Sequence, residues 1–300
     1  MQQESVEQSS SFKIASKLQD YKLLIKFNLS FMVVFSAVLS YLLAPRVIEY
    51  NWYSILLLFT GGMLVTGSAN AINQVVEKDT DAMMKRTAGR PIASGRMSIR
   101  EGWTFALVSG FGGVLILWHF NLLTAVLAAF SLFLYAFIYT PLKRVSSIAV
   151  LVGAIPGALP CLIGWAAGND DLSAGGWALF ALQFFWQFPH FWAIAWIAHK
   201  DYEAAGFKLM PSEKGPTKYS AIQAIIYSLL LIPVGVLPYL LEMSGVISLV
   251  IVTLANILMI TQSVRLYREM TVKAARRVMF SSYIYLPVAL LVLLIDKIKG

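Results

Sequence analysis

Apolar runs of membrane-crossing length recur along this chain at short intervals, and that repetition limits its fold more than any other feature. A hydrocarbon core of ~30 Å needs about 20 apolar residues per helix. Runs near that length cover residues 27–45, 52–73, 102–118, 120–139, 147–167, 176–198, 220–240, 244–262 and 280–296, and none contains a run of charges. The expectation is an all-α polytopic membrane protein with about nine transmembrane helices. At 58% hydrophobic and 13% charged residues, the chain is far more apolar than a soluble domain of its size. The first run follows a polar stretch and lacks a small-residue cleavage signature, so it reads as a helix rather than a removable signal. The one cysteine, Cys161, lies within an apolar run. It has no intrachain partner and gives no redox information.

Charge placement sets the orientation. With the N-terminus in the cytoplasm, all of the 24 Lys and Arg residues except Arg46, Lys297 and Lys299 fall on that side. The positive-inside rule then favours N-in, C-out. The net charge of +8 is mainly this topological signal. The basic residues sit in separate short loops, which argues against a nucleic-acid partner.

The outer loops are minimal: Trp118-His119-Phe120-Asn121 barely turns the chain, and Glu242-Met243 is similar. Both large loops, 74–101 and 199–219, fall on the cytoplasmic side. Loops on a rigid scaffold carry function, so the active face is expected there. They follow the second and sixth helices, a spacing that hints at two related four-helix halves plus one helix. Residues 1–22 read as a polar, interfacial tail, with Phe12, Ala15 and Leu18 on a weakly apolar side. Residues 23–300 read as one membrane domain.

Between Ser68 and Gly95 an apolar segment runs into SANAINQVVEKDTDAMMKRTAGRPIASG. Asn73, Glu77 and Asp81 are spaced i, i+4, i+8, with Asp79 beside them and Arg86 and Arg90 behind. On a helix, steps of four advance only ~40°, so the three acceptors share a face at ~6 Å intervals. Stacked negative charge invites a divalent cation, and the arginines add anion-binding capacity. This pattern suggests a magnesium–diphosphate site.

Two more polar clusters adjoin the cytoplasmic side. One is Tyr139-Thr140-Pro141-Leu142-Lys143-Arg144, which places two cations at the end of the fourth helix. The other starts inside the sixth helix at Trp186-Gln187-Phe188-Pro189-His190-Phe191-Trp192 and ends at His199-Lys200-Asp201-Tyr202. Gln187 and His190 should face the bundle interior, since hydrocarbon would leave them unpaired. An unbroken helix would bring His190 and Asp201 to one side. The bland readings are a solvated helix end for the acidic motif, topology signals for Lys143 and Arg144, and interhelical packing for the aromatics and His190. The glycines at 153, 157 and 164 most simply permit close helix packing.

At these residues the chain resembles the UbiA superfamily of intramembrane prenyltransferases. Asn73-x3-Glu77-x3-Asp81 with Arg86-Thr87 and Arg90-Pro91 is similar to its first acidic motif, and Tyr139-x3-Lys143 to its tyrosine–lysine motif. Three stretches resemble the protohaem IX farnesyltransferase branch: YTPLKR, the glycine-rich helix Gly153–Pro160 with Gly164-Trp165, and WQFPHFWAIA…KDYEAAGFKLMP. Two departures stand out. Glu77 replaces an aspartate, and Lys26-Phe27-Asn28 stands where the family often has Lys-Pro-Arg, so no role is assigned to the opening of the first helix.

The resemblance implies a UbiA-type bundle with a cytoplasm-facing central cavity, in a bacterial cytoplasmic membrane. It implies farnesyl transfer from farnesyl diphosphate to a vinyl group of haem B, which is a substrate, with addition of water. Asn73, Glu77 and Asp81 would hold Mg²⁺, and Lys143, His190 and Asp201 would join them in catalysis. Arg86, Arg90, Tyr139, Arg144, Gln187, Trp192, Lys200 and Tyr202 would bind substrate. Partners would be the lipid bilayer and a downstream haem-modifying enzyme or oxidase assembly factor. A quinone-type prenyltransferase shares the diphosphate site but carries a second Asp-x3-Asp motif where this chain has Pro189-His190-Phe191-Trp192. A transporter would place its polar residues near the midplane on discontinuous helices, whereas here they gather at one interface.

Overall fold

The computed structural model describes residues 16–212 and 214–298. Phe12 and Ala15 of the expected tail, and Lys299, lie outside the described residues. The chain runs through α1 (Ser16–Leu24), α2 (Phe27–Leu43), α3 (Trp52–Val76), α4 (Lys78–Met83), α5 (Ile99–Trp118) and α6 (Leu122–Phe133). A π-helical stretch, Leu134–Tyr139, leads into the short α7 (Thr140–Leu142). Then come α8 (Ala149–Asn169), α9 (Ala174–Ile197), α10 (His199–Ala204), α11 (Lys218–Leu240), α12 (Val246–Glu269) and α13 (Val272–Ile295). Among the described residues the one β feature is an isolated bridge between Ser244 and Lys297.

Helix starts follow side-chain capping. Asn51 accepts from the Tyr53 and Ser54 amides, Ser98 from Glu101, Asn121 from Thr124 and Thr271 from Ala274. Among the described residues, seven helices are long and apolar enough to cross a membrane, and the pair α1–α2, bent by 51°, makes an eighth if it counts as one span. The remaining expected span, the sixth in chain order, is α9. It has 24 residues, but Gln183, Gln187, Pro189, His190 and its tryptophans make it less apolar than those seven.

Helix α8 is the axis of the bundle and the most buried of those seven. It packs against α2, α6 and α9, while α9 packs against α11 and α13, and α13 returns to α2. Small residues allow this. The Gly164 Cα lies against the backbone of Ala37 on α2, and Gly153 and Gly157 leave room for the Tyr139 ring and the Gln187 carboxamide. The glycines of this helix thus act in close packing. At the start of the bundle, α1 is pinned to its neighbours: Lys17 and Tyr21 both donate to Glu101 at 2.8 Å, and Arg96 pairs with Asp20 at 2.9 Å.

Candidate active site

Helix α3 buries a run of polar side chains: Ser68, Asn70, Asn73 and Gln74. Three of them serve the scaffold. Ser68 donates to the Ala106 carbonyl, Asn70 to the Ile25 carbonyl and Gln74 to the Leu23 and Leu24 carbonyls. The last three carbonyls belong to the break between α1 and α2, where buried acceptors need partners. Asn73 does something different. Its Nδ2 donates to Glu77 Oε2 at 2.7 Å, the i, i+4 contact expected from the spacing, and its Oδ1 accepts from Lys26 Nζ at 2.9 Å.

The single-face reading then needs correction. Helix α3 stops at Val76, Glu77 leaves helical geometry at φ −97°, ψ 15°, and α4 resumes at Lys78. Asn73, Glu77 and Asp81 are therefore not on one unbroken helix, yet all three line the same cavity of about 210 Å³.

Each carboxylate meets a cation there. Lys143, just past α7, pairs with Glu77, and Arg90 Nη1 reaches both Asp81 oxygens at 2.7 and 2.6 Å. The Lys143 ammonium also lies 5.0 Å from the Tyr139 ring centre and 5.3 Å from that of Phe207. Burial pushes the Lys143 ammonium below its usual pKa, with the Glu77 carboxylate pulling the other way. Arg86 donates to the Tyr202 hydroxyl at 3.2 Å. Burial raises the pKa of that hydroxyl, with Arg86 and Arg90 opposing.

A second, apolar cavity of about 100 Å³ shares Leu29 and Tyr135 with the first. It follows one face of α3 through Ala69, Val65 and Gly62 to Leu58. At 1.5 Å per residue, Asn73 and Leu58 are about 22 Å apart along the helix.

The structure thus brings together Asn73, Glu77, Asp81, Arg86, Arg90, Tyr139, Lys143 and Tyr202. It sets six predicted residues elsewhere. Arg144 turns to the Thr80 hydroxyl. Gln187 donates to the Ala154 carbonyl at 3.0 Å, and Trp192 packs on Tyr227 at 5.2 Å. His190 stacks on Trp186 at 4.8 Å and is hydrogen-bonded to Ser282 at 2.8 Å, on the α13 side. The side of α9 that lines the cavity carries Phe191, Ile194 and Ala195; Gln187 lies one turn before Phe191 and His190 one turn before Ile194, but both side chains are held by other helices. Lys200 is exposed and Asp201 half-buried on α10, and neither lines the cavity. The chain breaks at Ala198, between α9 and α10, which removes the single helix assumed for His190 and Asp201.

Lys26, which was given no role from the sequence, also belongs to the site, as do Tyr135 and Phe207. Lys26 stands in the left-handed region at φ 48° where α1 meets α2, and its ammonium enters the cavity. The signals for Lys26 were a cation opening an apolar run, which topology alone also explains, and its place where the family often has Lys-Pro-Arg.

The donor set fits magnesium. Two carboxylates and a carboxamide oxygen are hard ligands, and Mg²⁺ takes few protein groups besides water and phosphate oxygens. Among the described residues no group of three or more His, Cys, Asp and Glu side chains forms a metal site, so a site here relies on Asn73 and on substrate oxygens.

The profile of the UbiA prenyltransferase family matches residues 33–285. The chain belongs to this family. A relative from Cytophaga hutchinsonii, named protoheme IX farnesyltransferase, is 43% identical over 95% of this chain and 100% of its own length. One of the same name from Flavobacterium psychrophilum is 40% identical over 95% and 96%. The UbiA fold extends to solved structures. A digeranylgeranylglyceryl phosphate synthase aligns with TM-score 0.79 and 20% identity, covering 95% of this chain and 100% of that one. A UbiA homolog from Archaeoglobus fulgidus bound to GPP and Mg²⁺ aligns with TM-score 0.64 and 14% identity, covering 91% and 99%.

Proposed function

We propose that this UbiA-family protein transfers the farnesyl group of farnesyl diphosphate to a vinyl group of haem B. The observation that carries the diphosphate half is the pair of buried carboxylate–cation contacts, Glu77 with Lys143 and Asp81 with Arg90, on one cavity that adjoins an apolar one. The names of relatives sharing 40–43% of residues support the haem half.

Asn73, Glu77 and Asp81 would hold magnesium, which when bound neutralises charge on the leaving diphosphate. Arg90 and Lys143 turn from their carboxylates toward phosphate oxygens, and Arg86 and Lys26 add positive charge around the same cavity. The allylic C–O bond breaks with its electron pair leaving on diphosphate. The rings of Tyr135, Tyr139, Phe191 and Phe207 face the resulting cation, and each face is worth up to ~2 kcal/mol to a desolvated cation. The vinyl π pair forms the new C–C bond, water adds to the carbon left electron-poor, and that water loses a proton. The farnesyl tail lies in the apolar cavity along α3.

The same reading takes α9 as a ninth span and the bundle as N-in, C-out in a bacterial cytoplasmic membrane, supported by the basic loops. A downstream haem-modifying enzyme or oxidase assembly factor would receive the product. The test is to incubate the protein with haem B, farnesyl diphosphate and Mg²⁺ and measure the mass of the pigment. A gain of one farnesyl group and one hydroxyl is expected. Prenylated 4-hydroxybenzoate formed at a comparable rate, with no heavier haem, would overturn the reading.

A further inference from the structure

The cavity that holds the paired carboxylates is small for two substrates. At about 210 Å³ it falls below the range of pockets for a single drug-sized ligand, about 300–1,000 Å³. Beside it is a larger cavity of about 420 Å³. The two share Ala195, Tyr202, Phe207 and Leu209, so they meet at a partition made by these four side chains, two of them aromatic. The Tyr202 and Phe207 rings meet edge to face at 6.0 Å.

The larger cavity is two-sided in character. The partition side is apolar, with Met210 and Val145 continuing it, whereas Ser146, Ser147, His199 and Lys208 supply polar groups. Glu203 is its one acidic group among the described residues, 73% exposed and 3.9 Å from His199. The Lys208 amide donates to the Lys143 carbonyl at 2.8 Å. That bond ties the segment carrying Lys208 to the residue whose ammonium enters the diphosphate cavity.

We propose that the acceptor docks in this second cavity, with a flat apolar macrocycle against the Tyr202–Phe207 partition and its carboxylates toward Lys208, His199 and the two serines. This rests on the haem reading above. It moves the acceptor from Gln187, His190 and Trp192, which face other helices, to the loop that follows α10.

The test compares haem with its propionate dimethyl ester as acceptors in three proteins: the parent, Lys208→Glu and Glu203→Lys. Reversing one exposed charge should shift the KM for free-acid haem about five- to tenfold. The KM should rise in Lys208→Glu and fall in Glu203→Lys. Values for the ester and for farnesyl diphosphate should stay within about twofold of the parent. Structural damage would not lower a KM, so the opposite signs identify a charge effect. Equal shifts for acid and ester, or no shift in either variant, would overturn the docking site while leaving the reaction assigned. A parent protein that farnesylates neither form would overturn the reaction, and the docking site with it.

Discussion

Replacing Lys143 with methionine should separate the two tasks of that residue. Its side chain is 9% exposed and that of Glu77 is 7% exposed. Removing one partner of a buried ion pair destabilises by about 3–5 kcal/mol, because the other charge is left uncompensated. Glu77 keeps the hydrogen bond from Asn73 at 2.7 Å, which places the expected loss near the lower end, about 3 kcal/mol. Glu77→Gln should lose less, since Lys143 retains the faces of Tyr139 and Phe207. In the double variant neither member leaves the other's charge behind, and stability should return to within about 1 kcal/mol of the parent. Farnesyl transfer should not return: each single variant and the double should fall by about 10²–10³. Denaturant unfolding in detergent gives the stabilities, and pigment mass over time gives the rates. A double variant as unstable as Lys143→Met would refute the paired-charge account. One that kept more than a tenth of parent activity would remove the pair from the reaction.

Arg90→Ala should weaken farnesyl diphosphate because it removes the cation paired with Asp81, whereas Arg90→Lys should keep much of the binding, since an ammonium can also reach both Asp81 oxygens from one nitrogen; a lysine variant as weak as the alanine one would refute this. Leu58→Ala, at the far end of the apolar cavity, should raise the share of geranylgeranyl product when both diphosphates compete, and an unchanged product ratio would move the tail elsewhere. His190→Ala should leave both substrate saturation curves within about twofold, since the ring packs on Trp186 and Ser282; a raised haem KM alone would return His190 to the acceptor site. Asp171, in the turn between α8 and α9, is held down to about 2: partial burial pushes its pKa up, but hydrogen bonds from Asn169, Ser173 and Trp165 outweigh it. Its contribution to stability is present above the ordinary carboxylate pKa of ~3.9 and fades as pH falls toward about 2. Asp171→Asn should therefore flatten the acid limb of stability against pH, and an unchanged limb would refute the assignment.

The diphosphate site was legible because its chemistry is local. A four-residue step brings Asn73 onto Glu77 in any helix, and Arg90 lies close enough in sequence to fold back on Asp81. The break at Glu77 was not legible, since no proline or glycine marks it. Lys26 was hidden for a different reason: its contact with Asn73 spans 47 residues and depends on a left-handed backbone that its neighbours do not announce. The α9 residues failed because long-range contacts claim them. Gln187 and His190 were chosen as polar groups at membrane depth, and they are satisfied there, but by Ala154 and Ser282 on two different helices. The cavity instead takes the apolar side of α9, which looked like ordinary packing.

The π-helical stretch Leu134–Tyr139 has a consequence for which changes this gene tolerates. A π-turn lodges a surplus residue in a helix, so everything after it is rotated by about 100° from where an unbroken helix would put it. Tyr139, Thr140 and Lys143 owe their bearing to that surplus. Losing the codon for Leu134, Ala136, Phe137 or Ile138 would regularise the helix, keep every side chain of the site chemically intact and swing Lys143 away from Glu77. Such a deletion would leave the list of functional residues complete while dismantling the site, a vulnerability that scanning one substitution at a time would never expose.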